Sequence, residues 1–194
     1  MPGKLSIVVG HNSVAPGANT YYMGHTISEN AFYKIEVVPE IERLFDEINH
    51  AHISDIKFFY RHFQGKRRYK REMREVYGRV NQWDPDANIE LHFNAAGQDA
   101  TGTETLHAGT KNGKMLASAC QESMVATLGL RDRGLKKRKA SQRGGPSLWL
   151  PKAPSVILEP FFGTNAKDVK VIQAKGPAAI ARAILTAANN YLAL

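Results

Sequence analysis

The sequence predicts an α/β fold: a single domain with a mostly parallel central sheet and helices on both of its faces. Three observations predict it. Short apolar runs of strand character alternate with segments of helical period along the chain. A length of 194 residues suits one well-packed domain and leaves little room for two. Neither an internal repeat nor a low-complexity linker divides the chain, so residues 1–194 are expected to be one unit without a separate binding domain.

Each element follows from its local pattern. "LSIVVGH" (5–11) is a short apolar strand. Residues 30–50 place Ile35, Val38, Ile41, Leu44, Phe45 and Ile48 at helical spacing, and Pro39 either kinks that helix or marks the start of its longer part. "IKFFYR" (56–61) is a second strand and residues 67–83 a second helix. "DPDA" (84–87) is turn chemistry, followed by the strand "NIELHFNA" (88–95). "TGTETLHAG" (101–109) is another strand and 111–128 another helix. Residues 130–150 read as irregular and basic, because Gly144, Gly145 and Pro146 break any helix. "SVILEP" is the last core strand, and "GPAAIARAILTAANNYLAL" closes the chain as a helix with Pro177 near its start. Strands alternating with helices of this length favour a largely parallel sheet.

Composition narrows the class. Hydrophobic residues make up 43% and charged residues 23%, ordinary values for a globular protein. No run approaches the roughly 18–20 apolar residues of a membrane span, so no stable membrane insertion is expected. "MPGKLSIVVGHNS" lacks a small-residue cleavage site and reads as a first strand, which predicts synthesis in the cytoplasm. Cys120 is the only cysteine, which excludes an internal disulfide framework and a cysteine-rich metal site. Its place in "MLASACQESMVATLGL" suits a packed helix thiol. A net charge of +8 and a pI near 9.6 imply an anionic partner: nucleic acid, an acidic membrane surface or cell-wall polymer. The charge gathers in 61–79, where acids at helical spacing suggest a solvated face, and in 131–143, which reads as an exposed loop or ribbon.

In open α/β sheets, functional residues gather beyond the carboxyl ends of the strands. His11 ends the first strand, His92 lies in the third, and Glu159 ends the last core strand. Glu29 sits where the first loop hands over to the first helix. Two histidines and a glutamate form the ligand set of a catalytic zinc, with a further glutamate as general base. The separations of 18, 63 and 67 residues make this a constellation of distant sites, and seven histidines leave other choices open.

Three stretches then carry a family resemblance. "VVGHNSVAPGANT" with "ISENAF", "IELHFNAA", and "APSVILEPFFGTN" resemble, in that order, three blocks of the zinc-dependent N-acetylmuramoyl-L-alanine amidases of the Amidase_3 family. These are an apolar strand ending in Gly-His with a Glu at the next helix, a Ser-Ile-His-Ala-Asn-Ala motif, and a closing Val-Glu-x-Gly-Phe-x-Ser-Asn block. The likeness spans roughly residues 5 to 190. It implies that His11, Glu29 and His92 hold zinc and that Glu159 is the catalytic carboxylate. Departures are Asn12 after the first histidine, Phe93 in place of a small residue, and Pro160 and Phe161 after Glu159.

The resemblance implies a peptidoglycan hydrolase that cleaves the bond between N-acetylmuramic acid and L-alanine. Its partner would be anionic cell-wall polymer rather than nucleic acid, since "KKRKASQR" carries no interleaved aromatics. A monomer is expected. A basic chain without a leader resembles phage endolysins, which reach the wall after the membrane is permeabilised. Two rivals remain: a zinc carboxypeptidase or endopeptidase acting on wall peptides, and an inactive basic wall-binding module. Glu159 could instead pair with an arginine. His25, His107, Glu104, Asn94, Arg133, Lys136 and Lys137 are secondary candidates along the groove, with solvent exposure as the plain alternative, and His50, His52 and His62 need no function.

Overall fold

A six-stranded sheet with the order β4-β1-β5-β8-β6-β7 organises the computed structural model, which describes residues 1–48, 50–65 and 68–194. Its strands are β1 (Gly3–Val9), β4 (Ile53–Tyr60), β5 (Ala87–Leu91), β8 (Ser155–Glu159), β6 (Thr103–His107) and β7 (Asp132–Lys137). The first four are mutually parallel. β6 runs antiparallel to β8 and parallel to β7, so the last two strands run opposite to the rest. The expected mostly parallel α/β sheet is therefore present, with a reversed edge pair.

Helices cover both faces, as the side-chain alternation of β1 requires. Leu5, Ile7 and Val9 enter the main core with residues of α2 (Val38–Glu47), α4 (Lys111–Leu128) and α7 (Pro177–Leu192). Val8 points the other way, into a second core with Phe59 and with Met73, Val76, Tyr77 and Val80 of α3 (Tyr69–Trp83). Near-continuous burial along β1, β5 and β8 is the pattern of strands covered on both sides. α4 occupies the predicted 111–128, capped by Thr110 at its start and by left-handed Gly129 at its end. The expected first position of the second helix, residue 67, lies outside the described residues.

Four sequence expectations need correction. Residues 30–50 are not one regular helix: α1 (Glu29–Ala31) passes through a π-helical stretch, Phe32–Val37, into α2. Pro39 sits in the first turn of α2, where its missing N–H is harmless, and the wider π turns precede it. The π turns change the phase of the buried face, so Phe32, Tyr33 and Val37 are buried while Ile35 is exposed. Ile48 lies beyond the end of α2 and is likewise exposed. Residues 130–150 are ordered as edge strand β7 and a short helix α5 (Gly145–Trp149). The lysines and arginines that hid β7 are those that protect sheet edges. A hairpin of β2 (Asn19–Tyr22) and β3 (His25–Ser28), and a helix α6 (Ala166–Lys175), were not anticipated. Among the described residues, no helix is long and apolar enough to cross a membrane.

Candidate metal and catalytic centre

The chain bends sharply just beyond β1. Gly10 follows Val9, and His11 takes a left-handed backbone with φ 63°. A non-glycine residue there is costly, of order 1–3 kcal/mol, and persists only where its surroundings hold it. Gly10 is required by space: a Cβ on it would lie 2.5 Å from His92 Cε1. The loop returns through Gly17 to the β2–β3 hairpin, whose last residue, Ser28, caps the helix that begins with Glu29. Gly17, at φ 84°, leaves room for the site, since its Cβ would stand 2.6 Å from Glu29 Oε2 and 2.7 Å from His11 Cδ2.

These turns bring three distant residues together. Glu29 Oε2 is 3.2 Å from His11 Nε2, and Glu29 Oε1 is 2.7 Å from His92 Nδ1. One ligand atom from each of the three residues lies within 4.8 Å of the others. Glu29 is buried, and burial alone would raise its pKa; hydrogen bonds from both histidines outweigh it and hold the carboxyl at about 2. For His92, burial acts downward, but the hydrogen bonds to Glu29 and Glu90 raise it to about 10. Two imidazoles and a carboxylate converging in this way are the N/O donor set that suits zinc. The donor set therefore fits the metal expected from the sequence.

Glu159 ends β8 beside this cluster. Its Oε2 accepts from Asn94 Nδ2 at 2.8 Å. Asn94 is held by the turns around it, its N–H donating to Phe161 O and its carbonyl accepting from Gly163 N, each at 2.9 Å. The same Asn94 Nδ2 lies 2.9 Å from Glu104 Oε1. Among the described residues no ion pair to Glu159 forms. Burial, reinforced by the neighbouring Glu104, pushes the Glu159 carboxyl up to about 7, although His92 pulls it down. Glu104 is held below its ordinary value, because the hydrogen bond and charge of Arg133 outweigh burial.

The secondary candidates separate by strand direction. β6 is antiparallel to β8, so Glu104 faces Glu159 while His107 pairs with Val156 at the opposite end. His107 does not border the site, and Lys137, its partner on β7, is remote too. Arg133 does reach it: Arg133 Nε donates to Glu104 Oε2 at 2.6 Å, and its guanidinium lies 4.8 Å from the Phe162 ring centre. Lys136 turns back to donate to Arg133 O. His25 is exposed on the hairpin and outside the cluster, while His50 stacks on Phe45. Pro160 and Phe161, which depart from the family pattern, build core: Phe161 packs on Phe32 and Phe93, with ring centres 5.6 and 5.2 Å away.

Glu90 went unnoticed in the sequence. It lies two residues before His92, is fully buried, and places Oε1 3.0 Å from His92 Nε2. An acid inside an otherwise apolar strand, on the same face as a candidate ligand, was the available signal.

Comparison with known proteins gives the family and the fold. Residues 6–190 match the Amidase_3 family model, described as N-acetylmuramoyl-L-alanine amidase. No curated protein sequence matches. Among solved structures, the catalytic domain of CD27L endolysin targeting Clostridia difficile shares 22% identity at TM-score 0.78, covering 97% of each chain. The catalytic domain of CwlV, an N-acetylmuramoyl-L-alanine amidase from Bacillus (Paenibacillus) polymyxa var. colistinus, shares 18% at TM-score 0.76, covering 100% of this chain and 99% of that one. An N-acetylmuramoyl-L-alanine amidase from Clostridium difficile 630 shares 20% at TM-score 0.76, covering 99% and 97%. At these identities the structural likeness speaks for the fold, and the match over nearly the whole chain speaks for the family. With the sheet order, the strand-end cluster and that match in agreement, the chain belongs to the Amidase_3 family of N-acetylmuramoyl-L-alanine amidases.

Proposed function

We propose that the protein hydrolyses the amide joining the lactyl group of N-acetylmuramic acid to L-alanine in peptidoglycan, with Glu159 as general base and zinc held by His11, Glu29 and His92. The observation that carries this reading is the convergence of those three side chains, with ligand atoms within 4.8 Å, beside the partly buried Glu159 carboxylate, whose pKa is raised to about 7. Bound zinc supplies Lewis acidity towards the amide carbonyl and brings the pKa of a coordinated water near neutrality.

The chain's own residues do the rest. Glu159, ionised, accepts a proton from water and returns it to the leaving amine, and a pKa near 7 suits both halves of that task. Its buried strand and the Asn94 hydrogen bond hold it in place, so little reorganisation is required as charge develops. Arg133 keeps Glu104 ionised, which leaves the exchangeable proton to Glu159. The partly exposed Arg133 guanidinium also supplies a cation at the rim for carboxylates of the stem peptide.

We read the biological role as that of a phage endolysin acting on the wall once the membrane is permeabilised, with the net charge of +8 favouring adhesion to anionic polymer. The test is digestion of purified peptidoglycan with products identified by mass spectrometry. Stem peptides beginning with free L-alanine, together with glycan bearing intact lactyl groups, are expected. Fragments cut within the peptide would make the protein a peptidase, and salt-sensitive binding without products would make it a wall-binding module.

A further inference from the structure

Glu90 occupies the middle of the sheet on β5, with no exposed surface. A carboxylate buried there is costly unless hydrogen bonds and opposite charge compensate it. Its partners supply both. Oε1 stands 3.0 Å from His92 Nε2 and 3.6 Å from Arg61 Nη1, and Oε2 accepts from the Tyr77 hydroxyl.

The consequence falls on His92. A neutral imidazole donates from one ring nitrogen and offers a lone pair at the other. Nδ1 faces Glu29 at 2.7 Å and Nε2 faces Glu90 at 3.0 Å, and both carboxylates accept when ionised. A cation held with Glu29 and His11 would take the Nδ1 lone pair, and the one remaining ring proton is then on Nε2, donated to Glu90. We propose that Glu90 is a positioning residue that fixes His92 in the Nε2–H tautomer and commits Nδ1 to the cation site. This role depends on His11, Glu29 and His92 being metal ligands.

Arg61 extends the same scaffold to the other histidine. Its Nε donates to Glu72 Oε1 at 2.8 Å, and that oxygen also accepts from Asn12 Nδ2 at 3.0 Å. Asn12 Oδ1 in turn accepts from the backbone of Val14 and Ala15 at 2.9 and 2.7 Å, which fixes the turn directly after His11. Outer partners of this kind orient ligands and raise their basicity, and their loss typically weakens metal binding by about 10–100-fold.

The test is zinc binding to the full chain, by competition with a chromophoric chelator, for wild type, Glu90→Gln, Glu90→Ala and His92→Ala. Nitrogen-15 histidine NMR of the zinc-loaded forms reads the tautomer. Glu90→Ala is expected to weaken zinc towards 100-fold, and Glu90→Gln, which keeps an acceptor of the same shape, by about tenfold. The wild-type His92 Nε2 proton should be visible and slow to exchange, and should exchange rapidly in Glu90→Ala. Zinc affinity and tautomer unchanged in Glu90→Gln would overturn the proposal, and that variant decides alone if Glu90→Ala fails to fold. Zinc bound equally well by His92→Ala would instead overturn the ligand assignment itself.

Discussion

Glu159 and Glu104 accept from the same amide: Asn94 Nδ2 lies 2.8 Å from Glu159 Oε2 and 2.9 Å from Glu104 Oε1. The antiparallel register of β8 and β6 sets the two acids opposite each other. Arg133 sits on Glu104 alone, so the symmetry is broken electrostatically. The carboxylate with the cation stays charged, and the one without it holds its proton to about pH 7. A like-charge pair in a low-dielectric site divides in this way.

Replacing Glu104 by Gln removes a negative charge that raises Glu159. The base must be ionised to work, so activity falls as pH drops through its pKa. Glu104→Gln should therefore move the acid limb of the pH–rate profile to lower pH, relative to wild type. An unchanged or higher limb would show that Glu104 does not set the base.

The same shift has a consequence for stability. A carboxyl whose folded pKa is raised to about 7 favours folding in its neutral form, and that contribution disappears as pH rises from the unfolded value through 7. Glu159→Gln, neutral at every pH and still able to accept from Asn94, should melt higher than wild type at about pH 8 when both are metal-free. Near pH 4 the difference should vanish. Thermal melts at the two pH values check this, and a wild-type protein that is the more stable at pH 8 would refute it.

Phe161 is predicted to be a structural residue of the site's floor. It is 1% exposed and packs edge-on against Phe32. Phe161→Ala should cost about 3–5 kcal/mol in denaturant unfolding, as expected for an emptied aromatic site. Phe161→Leu should cost less and leave product identity unchanged.

Gly17→Ala tests the crowding behind the ligands. Both its left-handed φ of 84° and a Cβ 2.6 Å from Glu29 Oε2 oppose any side chain. A loss of about 1–3 kcal/mol is expected from the backbone alone. Zinc affinity should fall as well, because Glu29 or His11 must move; titration with zinc checks the second effect.

Much of this centre was legible because each of its principal residues stands at a strand end or a helix start, and those positions follow from apolar runs and turn residues. His11, Glu29 and His92 come together as the order of strands requires, and Glu159 ends β8, the strand paired with β5. What was not legible depends on direction and phase. Nothing local in "TGTETLHAG" shows that β6 runs antiparallel, and that reversal brings Glu104 to the site and carries His107 away. The basic run at 131–143 conceals an edge strand, because its side chains serve the rim and not the core. The π turns at Phe32–Val37 shift the buried face away from Ile35, a phase change that a 3.6-residue period cannot register. Glu90 was overlooked because an acid in an apolar strand acquires meaning only once Arg61 and Tyr77, from other elements, are seen to meet it.

Zinc content and peptidoglycan turnover, measured on the same preparations of wild type and Glu159→Gln, test the catalytic assignment most directly. Equal zinc in both proteins, release of stem peptides with free L-alanine by wild type, and turnover lost in the variant by about 100-fold or more, on the order of a general base's contribution, are expected. Zinc retained with turnover intact would contradict Glu159 as the base, and zinc lost with the substitution would make it a ligand instead.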